Sequence, residues 1–157
     1  MKKKEPVKKL KKILTNTLVT TGRSQGEEII IALLRVAFPG LKIKRNDKSV
    51  LGRQEIDIHL VDYKIAIEVD GLSHFKNIYG DVRLAESQER AARKNQRLAE
   101  LGFLLYRVDI SEMTKENLFS ELKKYMNDIL IPELKRVIPT REINSVKVVP
   151  SSQQLLG

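Results

Sequence analysis

Residues 53–75 read RQEIDIHLVDYKIAIEVDGLSHF, and the alternation within them sets the reading of the whole chain. Ile56, Ile58 and Leu60 alternate with Glu55, Asp57 and His59. Ile65, Ile67 and Val69 then alternate with Ala66, Glu68 and Asp70. Successive side chains point to opposite faces of a strand, so this is the pattern of two strands in a hairpin, with Asp57, Glu68 and Asp70 on the non-aliphatic face. A two-residue loop at Val61-Asp62 would set Asp57 opposite Ala66 and diagonal to Glu68, within reach of a shared ion. Carboxylates gathered on one sheet face repel one another unless a cation neutralises them.

Working outward, Ser24-Gln25-Gly26-Glu27 matches a capping box ahead of the apolar run Ile29 to Phe38, which stops at Pro39-Gly40. At 100° per residue, Ile30, Ile31, Leu34 and Phe38 lie within about 60° of Glu27. Glu27 is therefore expected at the N-terminal end of the buried stripe, as a cap, as a member of the site, or as both. Leu41 to Arg45 reads as a short strand, with Asn46 to Ser49 as its turn. Beyond the hairpin, Asp81 to Leu101 predicts a long helix with a narrow apolar face and a wide basic one carrying Arg90, Arg93, Lys94 and Arg97. Gly102 is its natural C-terminal stop. Phe103 to Val108 is a compact apolar strand. Thr114 can cap a last helix bearing Leu118, Leu122, Tyr125 and Ile129, which Pro132 should kink or restart. The predicted order is helix, three strands, helix, strand, helix, an α/β layer structure with a mixed sheet between helices. Three segments follow: a basic N-terminal arm or short helix over 1–23, one domain over 24–139, and a polar tail over 140–157.

The length of 157 residues suits one domain with a real core. No Cys is present, which excludes thiolate metal sites and disulfides and favours a cytoplasmic setting. No apolar run approaches the roughly 20 residues of a membrane-spanning helix. The net charge of +9 is the electrostatic footprint of a polyanionic partner, most often nucleic acid.

Hard cations such as Mg2+ take carboxylate oxygens, usually one or two carboxylates with water and substrate phosphate. Asp57 and Glu68 supply that pair, which Glu27 or Asp70 could extend. His74, four residues past Asp70, has the unperturbed pKa of a general acid or base at neutral pH. For Glu55 and His59 an ordinary polar-face role suffices. Glu68 and Asp70 differ, because they interrupt IAIEVDG, a run that otherwise reads as buried. Taken together, these residues suggest metal-assisted phosphodiester hydrolysis. A nucleophile elbow, a glycine-rich phosphate loop and an HExxH zinc motif are all missing. With 5% aromatic residues the chain is also a poor candidate for a sugar site.

The run EIDIHLVDYKIAIEVDGLSHF, with the Glu27 helix before it and KNQRLAELGFLLYRV after it, resembles the PD-(D/E)xK, or restriction-endonuclease-like, superfamily. Within that superfamily it is most similar to the very-short-patch-repair-like branch that includes homing endonucleases of the EDxHD kind. The resemblance covers residues 24 to 110. It implies a central four-stranded mixed sheet flanked by helices, and Mg2+- or Mn2+-dependent cleavage or nicking of DNA in a bacterial or phage-infected cell. Asp57 matches the first metal-binding aspartate and Glu68 the acidic residue of the ExK half-motif. Asp70 stands where most of the superfamily has lysine, His74 matches a histidine of the branch, and Glu27 matches the first-helix glutamate. Arg90 and Lys94 match basic positions of the following helix, but Ala91 occupies a position where an aspartate is expected, with Asp81 or Glu89 as substitutes. A second reading keeps the fold and DNA binding with weak or no catalysis, as a module of a larger DNA-processing assembly; a homodimer is open under either reading. A third is an RNA-directed module.

Overall fold

The computed structural model describes residues 22–71 and 81–141. The basic arm ahead of residue 22, His74, and the tail beyond residue 141 lie outside the described residues. Helix α1 (Gly22–Ala37) leads into β1 (Ile43–Asp47), β2 (Ile56–Leu60) and β3 (Ile65–Asp70). Helix α2 (Asp81–Glu100) then crosses to β4 (Leu104–Asp109), and α3 (Leu118–Tyr125) runs through a π-helical turn (Met126–Leu130) into α4 (Ile131–Arg141). The sheet order is β1-β2-β3-β4, with β1–β2 and β2–β3 antiparallel and β3–β4 parallel. This is the α/β architecture that the element order predicts, a four-stranded mixed sheet flanked by helices.

The two faces of the sheet have different chemistry. Cross-strand partners share a face, so Ile58, Leu60, Ile65 and Ile67 line one side together with Val69 and Val108. Onto this side pack Ile29, Ile30, Leu33 and Leu34 of α1, and Leu118, Leu122 and Met126 of the C-terminal helices. The other side carries Asp57, His59, Ala66, Glu68 and Asp70 on the hairpin, with Leu105 and Arg107 on β4. A smaller apolar cluster of Leu51, Ile56, Ala66 and Leu98 ties α2 to that side. Both faces of β2 and β3 are buried along their whole lengths.

Several local expectations change, beginning with β1, which runs over Ile43–Asp47 rather than 41–45 and takes in Asn46 and Asp47 of the expected turn. Helix α1 includes Ser24 and Glu27 in its interior, so they form no capping box. Instead Arg45 Nη2 donates to Ser24 Oγ and to the Ser24 carbonyl, each at 3.2 Å, and Arg45 Nε donates to Glu27 Oε1 at 3.0 Å. The hairpin loop is longer than two residues: a 3-10 turn over Val61–Tyr63 is followed by Lys64 in the left-handed region (φ 52°). The register is therefore Leu60↔Ile65, His59↔Ala66 and Ile58↔Ile67, which sets Asp57 against Glu68 rather than against Ala66. Thr114 and Asn117 bond reciprocally in a turn (2.7 and 3.2 Å), and the last helix starts after it, at Leu118.

Other junctions follow the sequence. Gly102 (φ 86°) ends α2 in the left-handed conformation, and the Phe103 N–H closes on the Leu98 carbonyl at 2.9 Å, as a glycine-terminated helix requires. At the end of α4, Arg141 donates to the carbonyls of Tyr63 (3.0 Å), Lys64 (3.1 Å) and Gly102 (2.6 Å). The helix thus extends two residues past the expected boundary at 139 and fastens the β2–β3 loop.

Gly26 is where α1 comes closest to its neighbours. A Cβ there would lie 3.2 Å from Ile110 Cδ1, 3.5 Å from Val69 Cγ1 and 3.7 Å from Leu122 Cδ1. Gly26→Leu should overpack this contact and lower stability by about 1–3 kcal/mol, read as a lower urea midpoint at unchanged m-value.

Candidate active site

The site is built at the open end of the β2–β3 hairpin, past Ile58↔Ile67, the last paired residues in the register. There two side chains span the strands. The Asp57 N–H donates to Glu68 Oε2 at 2.9 Å, and the Val69 N–H donates to Asp57 Oδ2 at 2.9 Å. Each carboxylate satisfies a backbone donor next to the other, so neither can rotate without orphaning a buried amide. Asp57, Glu68 and Asp70 are 1%, 3% and 4% exposed. Carboxylates this deeply buried require compensating partners.

The partners come from the next two elements. Lys94 of α2 places its ammonium on Glu68 Oε1. Arg107, the β4 residue in register with Glu68, donates to Asp70 Oδ1 at 2.7 Å and also to Asn95 Oδ1. Burial, and after it the neighbouring Asp57 charge, pushes the Glu68 carboxyl above its ordinary range, against the pull of Lys94.

Above these groups opens a cavity of about 510 Å³. Asp57, Glu68, Asp70, Lys94 and Arg107 form its floor and inner wall, and Lys48, Arg53, Arg90 and Ala91 stand among the residues around them. One wall is the β1–β2 loop and the other is α2; Gln54 Nε2 joins them by donating to the Arg90 carbonyl at 3.4 Å. The base of that loop is latched by His59 Nδ1 and Asp47 Oδ2, 2.7 Å apart, while the Ser49 N–H donates to Asp47 Oδ1 at 2.9 Å. The hydrogen bond with His59 is the main cause that lowers Asp47 to about 2.

Of the residues the sequence nominates, Asp57, Glu68 and Asp70 line one cavity, as do Arg90 and Lys94. Lys94 is not part of a solvated basic face; it belongs to the acidic cluster. Arg93 and Arg97 are exposed and do not line the cavity, and Arg93 pairs with Glu89 at 3.2 Å. Glu89, one of the two acids considered in place of an acid at Ala91, does not line the cavity, and the side chain of the other, Asp81, lies outside the described residues. Glu27 is not brought into the cavity either; α1 packs on the opposite face of the sheet, where Arg45 holds its carboxylate. Glu55, read as an ordinary surface acid, lines the cavity. Arg107 and Asn95 were not nominated. Arg107 carries the same signal that marked Glu68, a charged residue interrupting an apolar strand (FLLYRV), but its partner is set by the parallel register.

No protein-family model matches this chain, and no curated protein matches it. Among the described residues, no three His, Cys, Asp or Glu side chains are close enough to form a complete metal cage. The donor chemistry of the Asp57–Glu68 pair, two orientated carboxylates facing an open polar cavity, fits a hard divalent cation whose other ligands are water and phosphate.

Because Glu68 titrates above its ordinary range, its contribution to folding is fully present at low pH and is lost as pH rises through the folded-state pKa. Asp57→Asn removes the like charge and keeps an oxygen for the Val69 N–H. In the metal-free protein at pH 7 it should raise the melting temperature, by the equivalent of about 1 kcal/mol. The difference from wild type should shrink as pH falls and Glu68 takes up its proton, which a thermal-unfolding series in chelator will measure.

Proposed function

We propose that this chain is a metal-dependent nuclease that hydrolyses phosphodiester bonds in DNA, with Asp57 and Glu68 as the metal-holding pair. The observation that carries this reading is the reciprocal locking of those two buried carboxylates beside the Lys94 ammonium, at the bottom of an open cavity with a cationic rim. The reading agrees with the resemblance to the restriction-endonuclease-like superfamily. It also relieves one departure from the family pattern. Asp70 stands at the usual lysine position, and a lysine nevertheless reaches Glu68, from α2.

The roles follow from placement. Asp57 and Glu68 would hold Mg2+ or Mn2+, which when bound supplies Lewis-acid polarisation of the phosphoryl oxygen and a more acidic water. Lys94 brings a positive charge to where the phosphorane oxygens gather negative charge. Arg107 keeps Asp70 neutralised and, through Asn95, fixes the turn of α2 that carries Lys94. Lys48, Arg53 and Arg90 are exposed along the rim and suit contact with phosphates on either side of the cut. His74 is proposed as the proton-transfer residue on the strength of the resemblance and its spacing alone. No helix among the described residues is long and apolar enough to cross a membrane.

The second reading, a binding module without catalysis, draws on Ala91, which lines the cavity where the family has an acid. One experiment separates the two. Supercoiled plasmid incubated with Mg2+ should be nicked or linearised by wild type, left intact in chelator, and left intact by Asp57→Ala. Lys94→Met should slow cleavage by about 10²–10³-fold. Cleavage that survives Asp57→Ala overturns the assignment, and tight binding by wild type with no cleavage supports the module instead.

The rim makes a separate prediction. Arg53→Ala and Arg90→Ala should each weaken duplex binding across all sequences and lower the slope of log K against log salt by about 1, measured by fluorescence anisotropy from 50 to 200 mM salt.

A further inference from the structure

Both oxygens of Glu68 are already committed within the protein, Oε2 to the Asp57 N–H and Oε1 to Lys94. The Lys94 side chain is 12% exposed and that of Glu68 4%, so the ion pair is shielded from water. Among the described residues, the buried carboxylates of Glu68 and Asp70 pair with Lys94 and Arg107 respectively. The two cations are held differently. Arg107 is tied at two points, to Asp70 and Asn95. Lys94 is tied to Glu68 through a flexible four-carbon stem and borders the open cavity. Ala91, one helical turn before it, also lines the cavity.

We infer that Lys94 is a tethered stand-in for the metal, occupying Glu68 Oε1 in the metal-free protein and swinging into the cavity when a divalent cation takes that oxygen. The inference rests on the proposed nuclease site and adds a regulatory property to it: the site carries its own competitor for the cation. Two cations cannot share one buried carboxylate oxygen without strong repulsion. Metal binding therefore has to displace the ammonium, and the displaced ammonium is delivered to the space where a phosphate would lie. Buried carboxylates left without any cation are strongly unfavourable, so the lysine also keeps the metal-free fold intact.

The test is a calorimetric titration of Mg2+, and separately Mn2+, into the metal-free full chain as wild type, Lys94→Met, Lys94→Gln and Asp57→Asn, with melting temperatures recorded with and without metal. Removing the lysine charge should tighten metal affinity by about tenfold or more. It should also lower the metal-free melting temperature and enlarge the rise that metal produces. If Lys94→Met does not fold without metal, Lys94→Gln, which can still donate to Glu68, carries the measurement. Equal or weaker affinity in the Lys94 variants, with wild-type binding that Asp57→Asn abolishes, overturns the stand-in and leaves the nuclease site standing. Absence of metal binding in wild type and in the Lys94 variants alike overturns both.

Discussion

The rest of the structure depends on the pair of bonds by which Glu68 accepts from the Asp57 N–H and Asp57 accepts from the Val69 N–H. At that end of the hairpin the carboxylates do the work of ladder hydrogen bonds, so the strands stay joined while two acidic groups are held side by side. The arrangement is expensive in two ways, through burial and through like-charge repulsion, and both push the Glu68 carboxyl upward. It persists because the following βαβ unit supplies the compensation. Helix α2 brings Lys94 over the polar face, and the parallel pairing of β4 puts Arg107 in register with Glu68. The crossover that completes the sheet is thus also what makes the acidic pair tolerable.

This division of labour explains why the two faces of the sheet differ. The aliphatic face, covered by α1 and the C-terminal helices, holds the larger core and most of the stabilising burial. The polar face has a smaller apolar cluster around Leu98 and Ala66, the His59–Asp47 pair, and the cavity. Glu27 belongs to the first side. Its bond to Arg45 joins α1 to the edge strand, and the Asp47–His59 latch does the equivalent job for the β1–β2 loop. That latch shares the task of holding the loop carrying Lys48 and Arg53 at the cavity rim with buried Leu51 and the Gln54–Arg90 bond.

Period-two alternation was enough to place Asp57, Glu68 and Asp70 on one face, because that conclusion survives any change in hairpin loop length that keeps the strand parity. The register was not legible. It turns on Lys64 adopting a left-handed conformation, which a lysine seldom signals, and a two-residue error in the loop moved Asp57 from Glu68 to Ala66. Lys94 was visible as one of several basic residues on a long helix, but its inward direction depends on how α2 lies over the sheet. Arg107 could have been flagged by its place in an apolar strand; its pairing with Asp70 could not, since a parallel partner is separated by a whole crossover. Ser24 and Glu27 show the opposite failure. A local capping pattern was present, and a long-range partner, Arg45, took both side chains.

The balance between the nuclease and binding-module readings rests on charge rather than on Ala91. For a surface whose task is only to hold a polyanion, three buried carboxylates are a disadvantage twice over: they destabilise the fold, and they oppose the phosphates the rim attracts. Among the described residues, Lys94 pairs with Glu68 and Arg107 with Asp70, which reduces that opposition. On the proposed reading, a divalent cation held by Asp57 and Glu68 would reverse the sign of the cavity floor and free the Lys94 charge for the phosphate. The acidic floor and the basic rim would then serve one substrate instead of working against each other. If the resemblance holds, alanine in place of an aspartate at position 91 would leave the cation fewer protein oxygens, but this reversal would stand.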